Sequence, residues 1–408
     1  MERTKGGNLP RVKASNYNAI RRTIYRYGPI TRADISAKLE LTLPTITTNV
    51  NNMIDSGLVR VCSATEQGEK TLGRKAYPVD IDLDHRLFAG VEIRGAHRRA
   101  CVSDYRGNVL FEVRDETPVE EYELAVDSAA RLVRACLTEK SIPASKIAAF
   151  GIAVPGLVDQ EAGVLRVHPG YGWKDKPVVK DMAERIGFTG QIVVENNVCC
   201  RAFAAQQFRR VITKGSVSSF TYLFVSSGIA CPLMHIAWPA RSIPIGVGEI
   251  GHMVMASNGP KCSCGNHGCL EAFSSEKALI ARCTELVKSG QAPVLDALCA
   301  GEPPTIQKIL AARDDPLVAA ALDSAVYYLG LAMANVDNFV RPDLMLFDGE
   351  IFASDYTREK LLQTIKANLY RNTLQDVHFR FVPADDFSGA LGGCAAAIRW
   401  DLNEYIPE

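Results

Sequence analysis

Apolar and polar positions divide the 408 residues into a small helical head and a long mixed body. From Asn16 to Tyr27, Ile20 and Ile24 recur one helical turn apart, which predicts a helix that Gly28-Pro29 ends. Thr31 and Asp34 have the spacing of a capping box, with Ile30 and Ile35 placed as a hydrophobic staple. A short second helix follows, with Ile35 and Leu39 on one face. A third helix starts at Thr42, tolerates Pro44 in its first turn and buries Ile46, Val50, Met53 and Ile54. Its other faces carry Thr45, Thr47, Thr48, Asn49, Asn51 and Asn52, where a solvated helix favours Glu and Lys. Gly57 ends it. Leu58 to Cys62 and Ala76 to Ile81 read as strands around a polar loop with Lys70, Gly73, Arg74 and Lys75. This order predicts a winged helix-turn-helix over residues 1–82. Thr45, Thr47, Thr48 and Asn49 would meet DNA bases, and Arg74 and Lys75 the phosphates or minor groove. A generic three-helix bundle is the competing reading.

The body alternates strands and helices, which predicts an α/β fold. Strands are expected at Leu87 to Ile93, Ala100 to Tyr105, Ile147 to Val154, Ile192 to Glu195, Phe220 to Val225 and Leu344 to Phe347. Helices are expected at Tyr122 to Lys140, Val198 to Phe208, Pro316 to Val340 and, rich in small residues, Gly389 to Trp400. Several strands end in polar or glycine pairs: Pro155-Gly156, Asn196-Asn197, Ser226-Ser227-Gly228 and Asp348-Gly349. Such strand ends mark a ligand crevice.

Charge sharpens the division. Residues 1–80 hold 13 Lys or Arg against 7 Asp or Glu, a net of +6, and the rest of the neutral chain carries −6. A basic head on an acidic body suits a nucleic-acid-binding module. Hydrophobic residues make up 47% and charged residues 23%, which excludes a disordered or collagen-like chain. No apolar run approaches the roughly 20 residues of a membrane helix. Met1 to Lys13 lacks the apolar centre of a secretory signal, so the expected compartment is the cytoplasm. There, 12 cysteines are free thiols or metal ligands.

Three of them fall in Cys262-Ser-Cys264-Gly-Asn-His-Gly-Cys269. Soft thiolates in a glycine-rich loop suit tetrahedral zinc. His252 is the expected fourth ligand, with His267 as competitor. Three Cys and one His leave no position for water, so one structural zinc per chain is expected. Asn196, Asn197, Glu249 and Glu271 offer acceptors and donors suited to adjacent sugar hydroxyls. Both glutamates flank the chelate, so metal would fix them together with the His252 ring. Cys199 and Cys200 are expected to pack in a helix. His85, His97, His168, His235 and His378 lack ligand-spaced partners. Trp173 suits either a lid over the crevice or turn packing.

Gly248-Glu-Ile-Gly-His252, followed by Cys-x-Cys-Gly-x-x-Gly-Cys-x-Glu, resembles the signature of the ROK family of repressors and sugar kinases. Pro155-Gly156-x-x-Asp159 and Glu195-Asn196 match its body pattern, and the head resembles that of its xylose- and N-acetylglucosamine-type regulators. The resemblance implies a two-lobed, actin-like (ribonuclease H-like) body. Residues 83–198 with 385–408 would form one lobe, and 199–384 the other, with the zinc site and a dimerisation surface. It implies zinc on His252, Cys262, Cys264 and Cys269. Sugar contacts would fall to Gly156, Asn196, Asn197, Glu249, His252 and Glu271. Homodimers or dimers of dimers on double-stranded operator DNA are implied as well.

The departures from the kinase branch are equally specific. The kinase turn Asp-x-Gly-Gly-Thr reads Glu92-Ile-Arg94-Gly95-Ala96-His97, and a second phosphate turn reads Ser227-Gly-Ile-Ala-Cys231-Pro232. The kinase base, an Asp after Asn, is Asn197, whose amide cannot take a proton as a carboxylate does. The expectation is a sugar-responsive, DNA-binding transcriptional regulator of the repressor type that binds a sugar or sugar phosphate in a kinase-derived cleft without phosphorylating it, and is not an enzyme. The alternatives are a bifunctional sugar kinase and a regulator controlled by a protein partner.

Overall fold

The computed structural model describes residues 9–63, 77–139, 141–208, 217–235, 246, 248–370, 378–383 and 389–404. The chain opens with α1 (Leu9–Tyr27), α2 (Arg32–Leu39) and α3 (Leu43–Asp55). Strand β1 (Val59–Val61) then pairs antiparallel with β2 (Val79–Ile81). Thr31 caps α2, its hydroxyl accepting from the Asp34 amide at 3.2 Å. Pro44 sits in the first turn of α3. Ile20, Ile24, Ile35, Ile46, Val50 and Met53 are fully buried, the stripe that the sequence periodicity marks. Arg74 and Lys75, expected between the two strands, lie outside the described residues.

The first lobe starts with the antiparallel meander β3 (Leu87–Ile93), β4 (Arg98–Ser103) and β5 (Val109–Asp115). Helix α4 (Tyr122–Glu139) leads to β6 (Ile147–Val154). A small three-stranded sheet follows: β7 (Leu157–Asp159), β8 (Val164–His168) and β9 (Trp173–Lys176). Then come α5 (Val178–Ile186), β10 (Gln191–Asn196) and α6 (Asn197–Gln207). The main sheet runs β10-β6-β3-β4-β5, with β6 and β10 parallel to β3.

The second lobe repeats the plan. It begins with β11 (Ser219–Val225), β12 (Ile229–Ala230) and β13 (Leu233–His235). Helices α7 (Leu270–Ser274), α8 (Glu276–Lys288), α9 (Pro293–Cys299), α10 (Ile306–Ala311) and α11 (Pro316–Val340) follow. Strand β14 (Leu344–Asp348), α12 (Asp355–Asn368) and β15 (His378–Phe381) complete it. Its sheet runs β12-β11-β14-β15, with β13 also paired to β11. The final helix α13 (Gly389–Glu404) returns to the first lobe and packs on β3, β4 and β6. Two lobes, each with antiparallel strands beside parallel ones, make the actin-like (ribonuclease H-like) body.

Strand β3 is buried along its whole length, between α4 on one face and α13 on the other. The glycines and alanines of α13 let it lie flush: a Cβ on Gly151 would come 1.9 Å from the Gly393 carbonyl oxygen. Helix α11 is long and apolar enough to span a membrane, which the sequence reading overlooked. In this fold 56% of its most apolar window is buried, in the core of the second lobe.

Head and first lobe share one core. Ile20, Ile24 and Tyr25 of the head join Phe88, Tyr105, Leu391 and Leu402 in a single cluster of buried side chains. At its edge, Asp401 of α13 is buried and accepts from Tyr105 at 2.7 Å, Arg86 at 3.0 Å and Arg21 of α1 at 3.4 Å. Arg106 pairs with Asp80 of β2 at 2.7 Å and donates to the Tyr25 carbonyl.

Candidate functional site

A cleft of about 950 Å³ lies between the lobes. Gly156, Asn196, Asn197, Glu249, His252 and Glu271 all line it. Asn196 ends β10 and caps α6, its side-chain oxygen accepting from the Val198 and Cys199 amides at 2.8 and 3.3 Å. Its amide nitrogen donates to the Gly156 carbonyl at 3.0 Å, fixing the turn after β6 against the start of α6. Behind it, Glu195 accepts from the Asn196 amide at 2.7 Å and from Gln160. Burial pushes the Glu195 carboxyl up to about 7.

On the facing lobe, Glu249 is half-buried, and that burial raises its pKa. Glu271 accepts from the Ile229 amide and the Ser263 hydroxyl, each at 3.3 Å. The Leu270 amide donates to the Met253 carbonyl at 2.9 Å, tying the His252 segment to the start of α7. Glu249 and Glu271 are therefore held by one structural unit.

That unit contains the cysteine loop. One ring nitrogen of His252 and the Sγ atoms of Cys262, Cys264 and Cys269 all lie within 4.8 Å of one another. Cys262 stands 3.6 Å from His252, and Cys264 3.7 Å from Cys269. A tetrahedral ion with bonds of about 2.0–2.3 Å separates its ligand atoms by roughly 3.5–3.8 Å. The four donors fit such an ion. His267 is exposed and stands outside the cluster.

Three sets of contacts engage Asn197, Arg94 and Gly95 of the first lobe. The Asn197 amide donates to Glu92 at 3.3 Å. Glu92 is fully buried and also faces Arg201 at 3.3 Å and His97 at 3.5 Å. Burial opposes its charge, yet Arg201, His97 and Arg94 hold the carboxyl well below its usual range. Arg201 reaches Asp348 of β14 at 3.5 Å and covers the Phe224 ring at 4.4 Å, so a buried ion network closes the seam between the lobes. Arg94 spans the cleft and donates to Ser226 and Ser227 at 2.9 and 3.3 Å. Tyr171 lies on the Gly95 turn, where a Cβ would stand 2.1 Å from its ring.

Trp173 is no lid: it is buried, donates to the Glu120 carbonyl at 2.8 Å and packs edge-on to Tyr122. Its stacking partners Tyr171 and His168 line the cleft instead. Burial lowers the His168 pKa to about 4, leaving a neutral ring. The sequence reading marks Arg94 as bulk in the altered turn, but its bonds to Ser226 and Ser227 and the places of Tyr171 and His168 escaped it. Cys199 and Cys200 pack, buried, in α6.

On α3, Thr48, Asn51 and Asn52 are exposed, and Thr45, Thr47 and Asn49 are half-buried. The Asn49 side chain donates to the Thr45 carbonyl at 2.8 Å, and Arg32 donates to Asn51 at 3.2 Å.

Comparison with known proteins agrees with this geometry. The ROK family model matches residues 88–399. A putative xylose repressor from Caldicellulosiruptor sp. (strain Rt8B.4) is 25% identical over 404 residues, covering 97% of this chain and 98% of its own. The DNA-binding transcriptional dual regulator NagC of Escherichia coli (strain K12) is 25% identical over 411 residues, covering 98% and 96%. Among solved structures, a ROK family transcriptional regulator, a homologue of the E. coli MLC protein, superposes with a TM-score of 0.77 at 22% identity over 96% of both chains. A ROK family glucokinase from Streptomyces griseus, in complex with glucose and AMPPNP, gives 0.65 at 22% identity, covering 76% of this chain and 98% of its own. With the family model matching most of its length, residues 88–399, the chain belongs to the ROK family.

Proposed function

We propose that this protein is a sugar-responsive, DNA-binding transcriptional regulator of the repressor type, holding a sugar in its cleft without phosphorylating it. One observation carries the reading. The cleft keeps Asn196, Glu249 and Glu271 for hydroxyls, yet Asn197 spends its amide on buried Glu92 where phosphoryl transfer needs a free carboxylate. Arg94 and Tyr171 add to this by occupying the turn that a nucleotide phosphate would approach. The glucokinase match covers 76% of this chain, whereas the xylose repressor and NagC matches cover 97% and 98% of it.

The head acts as a winged helix-turn-helix. Its helix α3 enters the major groove with Thr45, Thr47, Thr48 and Asn49, and Arg74 and Lys75 contact the backbone or minor groove. One structural zinc per chain sits on His252, Cys262, Cys264 and Cys269, and fixes Glu249 and Glu271 as sugar acceptors. The partners are double-stranded operator DNA and a second copy of the chain, in a dimer or a dimer of dimers, and the compartment is the cytoplasm. The names of the relatives point to xylose or N-acetylglucosamine, or a derivative, as the class of effector. The test is thermal denaturation of the full chain against a sugar panel, with ATP turnover measured in parallel. Stabilisation by a sugar with no phosphorylated product supports the reading; ATP-dependent phosphorylation of that sugar overturns it in favour of a kinase.

A further inference from the structure

The first lobe reaches the second through two arginines that are bonded differently. Arg201, on α6, is buried and pairs with Glu92 of its own lobe at 3.3 Å and with Asp348 of the other at 3.5 Å. Parting those charges would leave each buried without its partner, so this join is costly to break. Arg94 follows β3 and is half-buried. Its acceptors across the cleft are the neutral hydroxyls of Ser226 and Ser227, at 2.9 and 3.3 Å. Such bonds, at a cleft open to solvent, exchange for water at small net cost. Both guanidiniums also lie against the Phe224 ring, Arg201 at 4.4 Å and Arg94 at 5.6 Å from its centre. The first join is built to stay, the second to open.

What Arg94 holds is the turn that braces Glu271. The Ser226 amide donates to the Gly228 carbonyl at 2.9 Å, and the Ser226 carbonyl accepts from the Glu276 amide at the start of α8 at 2.8 Å. Next in the turn, the Ile229 amide donates to Glu271 at 3.3 Å. Gly228 leaves room for that carboxylate: a Cβ there would stand 3.0 Å from Glu271 Oε2. On the first lobe, the Arg94 amide donates to the His97 carbonyl at 3.0 Å. Glu92, two residues back, accepts from the Asn197 amide at 3.3 Å. One side chain therefore links the Asn197 side of the cleft to the Glu271 side. A ligand that draws hydrogen bonds from both sides binds best where their separation is already set.

We propose that Arg94 is a positioning residue, the latch of the cleft: its bonds to Ser226 and Ser227 hold the lobes at the separation at which Asn196, Glu249 and Glu271 can share one sugar, and their release opens the cleft. The latch itself stands apart from the sugar reading above; its effect on ligand affinity rests on that reading. A protein latched for only a fraction of the time shows its ligand an affinity reduced by that fraction.

Small-angle scattering and amide exchange on the full chain, with no ligand added, test the latch. Arg94→Ala, and separately Ser226→Ala with Ser227→Ala, should each enlarge the radius of gyration and speed exchange of the amides of residues 226–229 by about ten-fold. Combining all three substitutions should add nothing further, because the side chains make one contact. Arg94→Lys, which keeps the charge and loses the fork, should fall between. Unchanged scattering and exchange in the serine pair, or effects of Arg94 and the serines that simply add, overturn the latch; the serine pair carries the test if Arg94→Ala fails to fold. Calorimetry with xylose and N-acetylglucosamine then reads the consequence. Whichever sugar binds wild type should bind the opened variants about ten-fold more weakly, with the ligand-free melting temperature as the control for a general loss of fold. Wild-type sugar affinity in an opened variant overturns the positioning role. If neither sugar binds wild type, the sugar reading fails, and scattering and exchange still decide the latch.

Discussion

Asn197 differs from an aspartate by one group, and the pocket around it holds the amide. Its amide donates to buried Glu92, so Asn197→Asp would set a second carboxylate 3.3 Å from the first. Like charges that close disfavour ionisation of one partner and cost the donor its hydrogen bond. The expected variant is less stable by roughly 1–3 kcal/mol and still transfers no phosphate to sugar. Denaturation and a coupled ATP assay check both halves; a gain of kinase activity would contradict this role for Glu92. Glu195 gives a pH signature. Its folded pKa of about 7 stands above the ordinary 4.5, so it contributes stability below pH 4.5 that is lost as pH rises toward 7. Glu195→Gln should flatten the melting temperature between pH 5 and pH 7.5, and a wild-type slope kept in the variant would remove Glu195 as its source. At the chelate, Cys264→Ser should drop metal content below about half of wild type, measured by elemental analysis of the purified chain, because a four-ligand site missing a thiolate holds its ion poorly. Wild-type content in the variant would remove Cys264 from the site. The cysteine loop is legible in sequence because its thiols are close along the chain. Tyr171, between β8 and β9, and Gly95, just after β3, meet from distant parts of the chain, and no local spacing records that.

At the scale of elements, α3 reads clearly because its apolar stripe has a clean helical period and its outer face is uncharged. The structure refines which of its residues are available. Asn49 already bonds the Thr45 carbonyl, whereas Thr48, Asn51 and Asn52 are exposed. Thr48→Ala and Asn49→Ala should each weaken binding to a selected duplex by about 1–3 kcal/mol and relax sequence preference, measured by fluorescence anisotropy. Unchanged binding in both would mean that α3 is not the reading helix. Strand β5 was missed for a physical reason: it is an edge strand whose Val109 and Leu110 are both exposed, so the alternation that marks strands starts only at Phe111. Helix α11 was legible from Pro316 to Val340 because it is apolar on nearly every face, as a helix buried in a lobe core must be.

Across the whole molecule, the head is built onto the body and not strung from it. Asp401, on the last helix, gathers Arg21 of the head with Arg86 and Tyr105 of the first lobe. Removing its carboxylate takes a buried counter-charge from Arg21, which keeps its bond to the residue 401 carbonyl, so the cost lies below the about 3–5 kcal/mol of a fully broken buried pair. Asp401→Ala should therefore melt markedly earlier. Asp401→Asn, which keeps a hydrogen-bond acceptor, should retain the fold but loosen the head, seen as faster amide exchange along α1. Wild-type exchange in Asp401→Asn would place the coupling elsewhere. On the proposed function, a head fixed to the first lobe would turn with it, and closure of the cleft on a ligand would carry α3 along. In a dimer that changes the spacing of two reading helices, whose half-sites lie about one DNA turn apart. A ligand shifts this balance only by its affinity difference between the two states.

The most direct test is the affinity of the full chain for a duplex it selects from a random pool, with and without the sugar that stabilises it most. The same pair of measurements is made on Glu249→Ala. The sugar should weaken wild-type binding by about 10- to 100-fold, or roughly 1.4–2.7 kcal/mol. Glu249→Ala should bind the duplex as tightly as wild type without sugar and ignore its addition. An undiminished response in Glu249→Ala, or a wild type whose DNA affinity no bound sugar changes, would contradict control of the head through the cleft.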